Sequence, residues 1–247
     1  MAERSEASSA MRLAVPIMLV ACSSPAFATG QDYRILAFTR TLGWRHDAIP
    51  DAVAALRAIS AREGFGVDAT EDPAAFEPGR LGRYRVVVFL LTTGDVLAGG
   101  QERALEGFVA AGGGFVGVHS ACDTEYDWDW YVRLVGASFG SHPWIQRATV
   151  RVVDRAHPAA AGLPAEWVRT DEWYNFRAVP RHVKVLATLD ERTYWGGAHG
   201  ADHPIAWYHE YAGGRAFYTA MGHTRESYAE PAFRSHLAGA IRWAAGF

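Results

Sequence analysis

The sequence predicts an α/β protein built on a doubly wound, mainly parallel sheet, and three observations carry that expectation. Arg85 to Leu91 (RVVVFLL) is an almost unbroken apolar run, which suits a central parallel strand covered on both faces. Strand-like and helix-like segments alternate three times before His119, as in a chain of βα units. The stretch Gly112 to Thr124 (GGGFVGVHSACDT) joins a short apolar strand to a polar elbow, the edge where α/β sheets present their ligand-binding side chains.

In chain order, Tyr33 to Thr39 (YRILAFT) reads as the first strand and runs into a loop, RTLGWRHD, that carries Trp44, Arg45 and His46. Asp47 or Pro50 starts a helix to about Glu63, with Ala52, Val53, Leu56 and Ile59 at helical spacing. Gly66 to Ala69 and Arg85 to Leu91 are the next strands, Gly100 to Ala111 a helix, and Gly114 to Val118 the strand that arrives at His119. Gly112 to Gly114 precede that strand instead of following it, so they read as a helix stop and turn and not as a phosphate cradle.

Beyond the elbow the pattern loosens. Glu125 to Gly136 reads as a short aromatic helix, Ala148 to Val153 and Val183 to Leu189 as strands, and the polar, aromatic stretch Arg169 to Phe176 (RTDEWYNF) as an irregular functional segment. Ile205 to Tyr211 and Arg215 to Thr219 form a hairpin around Gly213-Gly214, and Glu230 to Ala245 closes the chain as a helix.

The 247 residues, 49% of them hydrophobic, are enough for one large core, expected as a single domain over residues 33–247. A net charge of -3 and the lack of any basic run argue against a general affinity for nucleic acid. Leu13 to Ala21 (LAVPIMLVA) is too short to span a bilayer and is flanked by Arg12 and small residues, so residues 1–28 are expected to be a signal peptide. Cleavage after Ala26-Phe27-Ala28 competes with a lipoprotein signal ending before Cys22, and translation from Met11 is an alternative start. The expected mature chain is exported, periplasmic or secreted, with no transmembrane helix and with homo-oligomerisation open. Of two cysteines one lies in the signal, so Cys122 is unpaired and no disulfide framework is expected.

GWRHDAI, GGGFVGVHSACDTEYDW, the segment ending in SHP, TDEWYNF, GADHPIAWYHEY and GRAFYTAMGHTRESY follow in order the pattern of the ThuA-like family, named for trehalose utilisation, over roughly Tyr33 to Phe247. The resemblance implies a class I glutamine amidotransferase-like, three-layer flavodoxin-like fold. Those amidotransferases carry a nucleophilic cysteine at the elbow, where this chain has His119; glutaminase activity is therefore not expected. His223, after a late strand, stands in the place similar to their catalytic histidine. Cys122, three residues past the elbow, reads as a packed small residue and not as a nucleophile.

Paired histidines near carboxylates can hold a divalent metal such as zinc or share acid and base work near neutral pH. The candidate catalytic residues are His119, His223, Asp123 and Glu172; the candidate metal ligands are His119, His142 and His223. Asp123 could instead cap the helix after the elbow, and His142 before Pro143 could serve a turn. Candidate substrate-binding residues are His46, Trp44, Glu125, Trp173 and Tyr174, the last two as a sugar-stacking wall or as a loop over the core. His157 and His182 read as surface residues, and His203 and His209 as structural ones. No compact ligand motif such as HExxH occurs. The resemblance implies carbohydrate use alongside oxidoreductases that make 3-keto sugars, so a hydrolase, lyase or isomerase acting on a disaccharide or keto-glycoside is expected. The alternatives are a sugar-binding accessory domain without catalysis, or hydrolysis by Cys122.

Overall fold

Eleven strands and five helices make up the described residues of the computed structural model, which are Met1 and residues 33–247. The expected signal peptide and Cys22 lie outside them. From β1 (Arg34–Phe38) the chain passes through α1 (Ile49–Glu63), β2 (Gly66–Thr70), β3 (Val86–Leu90), α2 (Gly100–Ala110) and β4 (Gly114–Val118). It continues through α3 (Asp129–Val135), β5 (Phe139–Ser141), β6 (Gln146–Val152), β7 (Glu166–Asp171), β8 (Asn175–Phe176) and β9 (Lys184–Asp190). The hairpin β10 (Pro204–Tyr211) and β11 (Gly214–Thr219) leads to α4 (Arg225–Ala229) and α5 (Pro231–Ala245).

Nine strands form one sheet in the order β2-β1-β3-β4-β11-β10-β9-β6-β7. Neighbours from β2 to β11 pair in parallel, and the rest of the sheet pairs antiparallel. Seven of the nine strands therefore share one direction, with β10 and β6 reversed. The expected α/β architecture stands. Every residue of β3 and β4 is buried, as an apolar run in the middle of a parallel sheet requires, since helices must cover both faces. The first helix begins with Pro50 in its opening turn, buries Ala52, Leu56 and Ile59, and ends at Gly64, whose φ of 82° is the left-handed cap that glycine permits. The hairpin turn sits at Ala212 and Gly213, both at positive φ, one residue earlier than expected.

Arg169 to Phe176 is more ordered than its sequence suggests. The first half belongs to β7, whose residues alternate exposed and buried, and the end forms β8 paired with β5. Two of the buried positions of β7 are Arg169 and Asp171, which neutralise each other at 2.7 Å. A buried ion pair thus replaces the apolar residues that would have marked the strand. The single turn α4, capped by Thr224 through the Ser227 N–H, was also not foreseen.

This edge strand explains how the site closes. Between β11 and β7 lie four strand spacings, roughly 19 Å in a flat sheet. Yet Asp171 at the end of β7 accepts the Gly222 N–H just after β11 at 2.8 Å. The antiparallel half must curl over until the carboxyl ends of β7 and β11 meet.

Candidate functional site

Four strand ends feed one cluster. His119 follows β4, His223 follows β11, Glu172 follows β7, and His46 comes from the loop after β1. One ligand atom from each lies within 4.8 Å of the others. His119 begins a tight 3-10 turn with φ at 52°, a left-handed conformation that costs a non-glycine residue about 1–3 kcal/mol. The surroundings hold it there: the Tyr218 hydroxyl donates to the His119 carbonyl at 2.7 Å, and Tyr174 lies against the imidazole at 4.2 Å between ring centres.

Histidine 119 is fully buried, and its Nδ1 stands 2.7 Å from the Ala220 carbonyl oxygen. A carbonyl can only accept, so Nδ1 donates to it and Nε2 is the ring atom left facing the cluster. There Nε2 is 3.1 Å from His223 Nδ1 and 3.4 Å from Glu172 Oε2, and His223 Nδ1 is 3.2 Å from the same oxygen. Those three edges match a face of a tetrahedron around a cation bonded at about 2.0–2.1 Å, whose donors lie roughly 3.3 Å apart. His46 is 4% exposed, its ring centre 5.0 Å from those of His119 and His223, and its Nδ1 is buried without a hydrogen-bond partner. A buried polar atom left bare is costly unless something absent from the protein satisfies it.

The electrostatics agree with that chemistry. Burial works against ionisation of Glu172, but hydrogen bonds and charge from His119 and His223 outweigh it and hold the carboxyl well below the usual range. Burial likewise opposes charge on His223, and Glu172 overrides it, so its pKa is raised. His46 goes the other way, pushed down to about 3 by burial and by its two histidine neighbours, and stays neutral.

The sequence pattern of the family described as ThuA, trehalose utilisation, matches residues 34–244. The chain belongs to the ThuA family. Among solved structures it is similar to a putative ThuA-like protein from Bacteroides uniformis, with 26% identity and a TM-score of 0.74 over 90% of this chain and 95% of that one. A putative ThuA-like protein from Parabacteroides merdae is 20% identical, with a TM-score of 0.73 over 87% and 91% of the two chains. A β-galactosidase from Rahnella sp. R3 shares the fold at 18% identity, with a TM-score of 0.54 over 86% of this chain and 32% of that one. None of the curated proteins compared matches in sequence.

The ThuA chain places the remaining candidates less uniformly. His142, expected as a metal ligand, stands outside the four-residue group: its side chain is 42% exposed and its Nδ1 reaches Glu172 Oε1 at 3.0 Å from the solvent side. His46 and Glu172 belong to that group together with His119 and His223. Trp173 is not a sugar wall, because it is fully buried and its indole N–H donates to the Gln146 carbonyl. Tyr174 is buried too and serves as the support beneath His119. Glu125 is buried away from the four-residue group, where it accepts the N–H groups of Val96 and Leu97, and burial reinforced by Asp95 pushes its carboxyl up to about 8. Asp123 is half-buried and caps no helix, since α3 starts from Trp128; its carboxylate accepts the Tyr126 hydroxyl, and burial raises its pKa.

Cys122 is buried, its sulfur lies 2.9 Å from the Tyr218 hydroxyl oxygen, and its thiol pKa is pushed up by burial, which suits a packed residue and not a nucleophile. His203 and His209 are structural as expected, the first bonded to Glu191 and the Tyr174 carbonyl, the second to the Leu134 carbonyl. His157, expected at the surface, is 5% exposed; its Nδ1 accepts the Ala159 N–H, and the ring packs against Tyr208. Nothing in the sequence singles out the Ala220 carbonyl, which accepts from His119 Nδ1.

Trp44 stays exposed and, together with His46, His223 and Ile145, lines a cleft of about 430 Å³. No helix among the described residues is long and apolar enough to cross a membrane.

Proposed function

We propose that this ThuA family member is an exported, metal-dependent enzyme that processes a disaccharide or keto-glycoside and has no glutaminase activity. The observation that carries the reading is the convergence of His46, His119, Glu172 and His223 within 4.8 Å at the carboxyl edge of the sheet. The donor set fits a divalent cation such as zinc: three imidazoles and one carboxylate, one imidazole preset by a backbone carbonyl and another with a bare buried nitrogen. Bound there, the cation would polarise a carbonyl or hydroxyl oxygen of the sugar.

The chain supplies the rest. Asp171 accepts the backbone N–H groups of Gly222 and His223, which keeps the His223 ring in place. His142 and Asp123 stay outside the four-residue group, and in this reading they are the acid and the base. In a keto sugar the C–H beside the carbonyl is acidic: Asp123 takes that proton and the electron pair moves onto the carbonyl oxygen as an enolate; its return forms a C=C bond and breaks the glycosidic C–O bond on the next carbon, and the departing oxygen takes a proton from His142. Export rests on the apolar run Leu13 to Ala21, and the mass of the protein's N-terminal peptide after expression in its host tests it.

Metal analysis of protein purified without an affinity tag, followed by incubation with disaccharides and their 3-keto forms, tests the main reading. His119→Ala and His223→Ala lose bound metal and turnover, whereas His142→Ala keeps the metal. Full turnover in both of the first two variants would show the mechanism to be wrong.

A further inference from the structure

Two residues of the four-residue cluster, His46 and His223, line the cleft. His46 is 4% exposed, while two residues earlier Trp44 is 72% exposed on the same loop, so the cleft opens outward along that loop. An indole that bare is commonplace on its own. Three further observations set this one apart. The loop is tied to its neighbours: the N–H groups of Leu42 and Gly43 both donate to the Thr93 carbonyl, the Thr93 hydroxyl donates to the Trp44 carbonyl at 2.8 Å, and Arg45 is paired with Glu71. The cleft carries a second exposed apolar side chain, Ile145, from a turn tied down through Gln146, which bonds the Trp144 and Trp195 carbonyls and the Trp195 N–H. The same lining carries charged groups, Asp47 bonded to Arg225 at 3.2 Å, and Glu226.

A flat apolar surface held beside carboxylates and a guanidinium suits a pyranose ring, whose C–H face stacks on indole while its hydroxyls take up the charged groups. Position decides which ring. The reacting ring must reach the buried histidines; the ring joined to it then lies further out, where Trp44 stands.

We propose that the outer end of the cleft is a second sugar subsite, with Trp44 as its stacking platform, which holds the ring linked to the one at the histidine cluster. It rests on the sugar-processing reading above and adds to it a requirement for at least two rings. Because the loop is already tied to its neighbours, stacking there costs little ordering on binding.

Calorimetric titration of the full chain with trehalose, 3-keto-trehalose and glucose, using wild type, Trp44→Ala and Trp44→Phe, tests the assignment. Thermal melting and sedimentation of each variant accompany it. The expected result is a disaccharide affinity about five- to tenfold weaker in Trp44→Ala, largely restored in Trp44→Phe, with glucose affinity, metal content and melting unchanged. Equal disaccharide affinity in Trp44→Ala and wild type overturns the subsite while leaving the sugar reading in place. An equal loss for glucose and disaccharide places Trp44 on the reacting ring and also overturns it. A dimer that dissociates on Trp44→Ala makes the indole an interface between copies. If wild type binds none of the three sugars, the subsite and the sugar reading fall together.

Discussion

Asp171 shows how much one side chain can hold. Its carboxylate accepts the N–H groups of Gly222, His223 and Glu172, pairs with Arg169 at 2.7 Å, and is fully buried. Two residues of the cluster, His223 and Glu172, thus hang from one carboxylate that touches neither of their side chains. Arg169 is spread over Glu230 and Ser227 as well and lies over the rings of Trp167 and Phe233. Replacing Asp171 by Asn keeps the shape but turns an N–H₂ group toward donors and leaves Arg169 short of a partner. Breaking a buried pair in this way costs about 3–5 kcal/mol, more than any gain from removing a charge. Asp171→Asn is therefore expected to lower stability by about that amount in urea titration and to weaken zinc binding in a competition assay. Unchanged zinc affinity would separate Asp171 from the placement of His223.

At the scale of elements, the contact between α5 and the short 3-10 turn Pro158–Ala160 makes the argument. A Cβ added at Gly239 in the middle of α5 would stand 2.2 Å from the Pro158 carbonyl oxygen, so only glycine lets the turn approach. Helix propensity alone favours Gly→Ala by about 1 kcal/mol. The clash with backbone, which cannot rotate aside, is of the overpacking kind that costs about 1–3 kcal/mol or more. Gly239→Ala is expected to lower the melting temperature, and a rise would mean that propensity wins and the contact is loose.

The same contact explains why the sequence misplaced His157. A histidine before proline reads as a surface turn, yet this turn is pressed into α5, where His236 donates from Nδ1 to the Ala159 carbonyl at 2.9 Å. Elements with their own period, β1 to β4, α1, α2 and the closing helix, were readable because apolar spacing is local. The strand β7 was not, since its inward Arg169 and Asp171 make sense only with each other. His119 and His223 were readable as candidates at strand ends, and Glu172 only as a polar residue of an irregular stretch. Choosing His46 over His142 required knowing how far the sheet curls, and no local pattern holds that. Trp173 and Tyr174 misled for a related reason: an aromatic pair beside a site residue looks the same whether it faces the cleft or the core.

For the whole molecule, the buried histidines set a limit on acid tolerance. His157 is pushed down to about 4 by burial, with Asp154 pulling weakly the other way; His236 is also pushed down to about 4 by burial, with Arg169 and His157 adding to the effect. Both stay neutral in the folded chain well below 6.5, the value they regain on unfolding. The unfolded state therefore binds more protons across the window from about 6.5 to about 4. Stability from these two groups is complete above 6.5, falls through that window and is gone below it, by order 1–3 kcal/mol each. His223, raised by Glu172, acts in reverse: it contributes below 6.5 and loses that contribution as pH rises through its folded value. His46, pushed down to about 3, acts in the same direction as His157 and His236, so three groups against one give a net loss on acidification. Metal-free protein is thus expected to melt at progressively lower temperature as pH falls from 7 to 4.5, and His236→Gln to flatten part of the slope even though it melts lower at pH 7. A melting temperature that holds constant across the range would mean that His157 and His236 are hydrated in solution and that the packing of α5 on the Pro158 turn opens there.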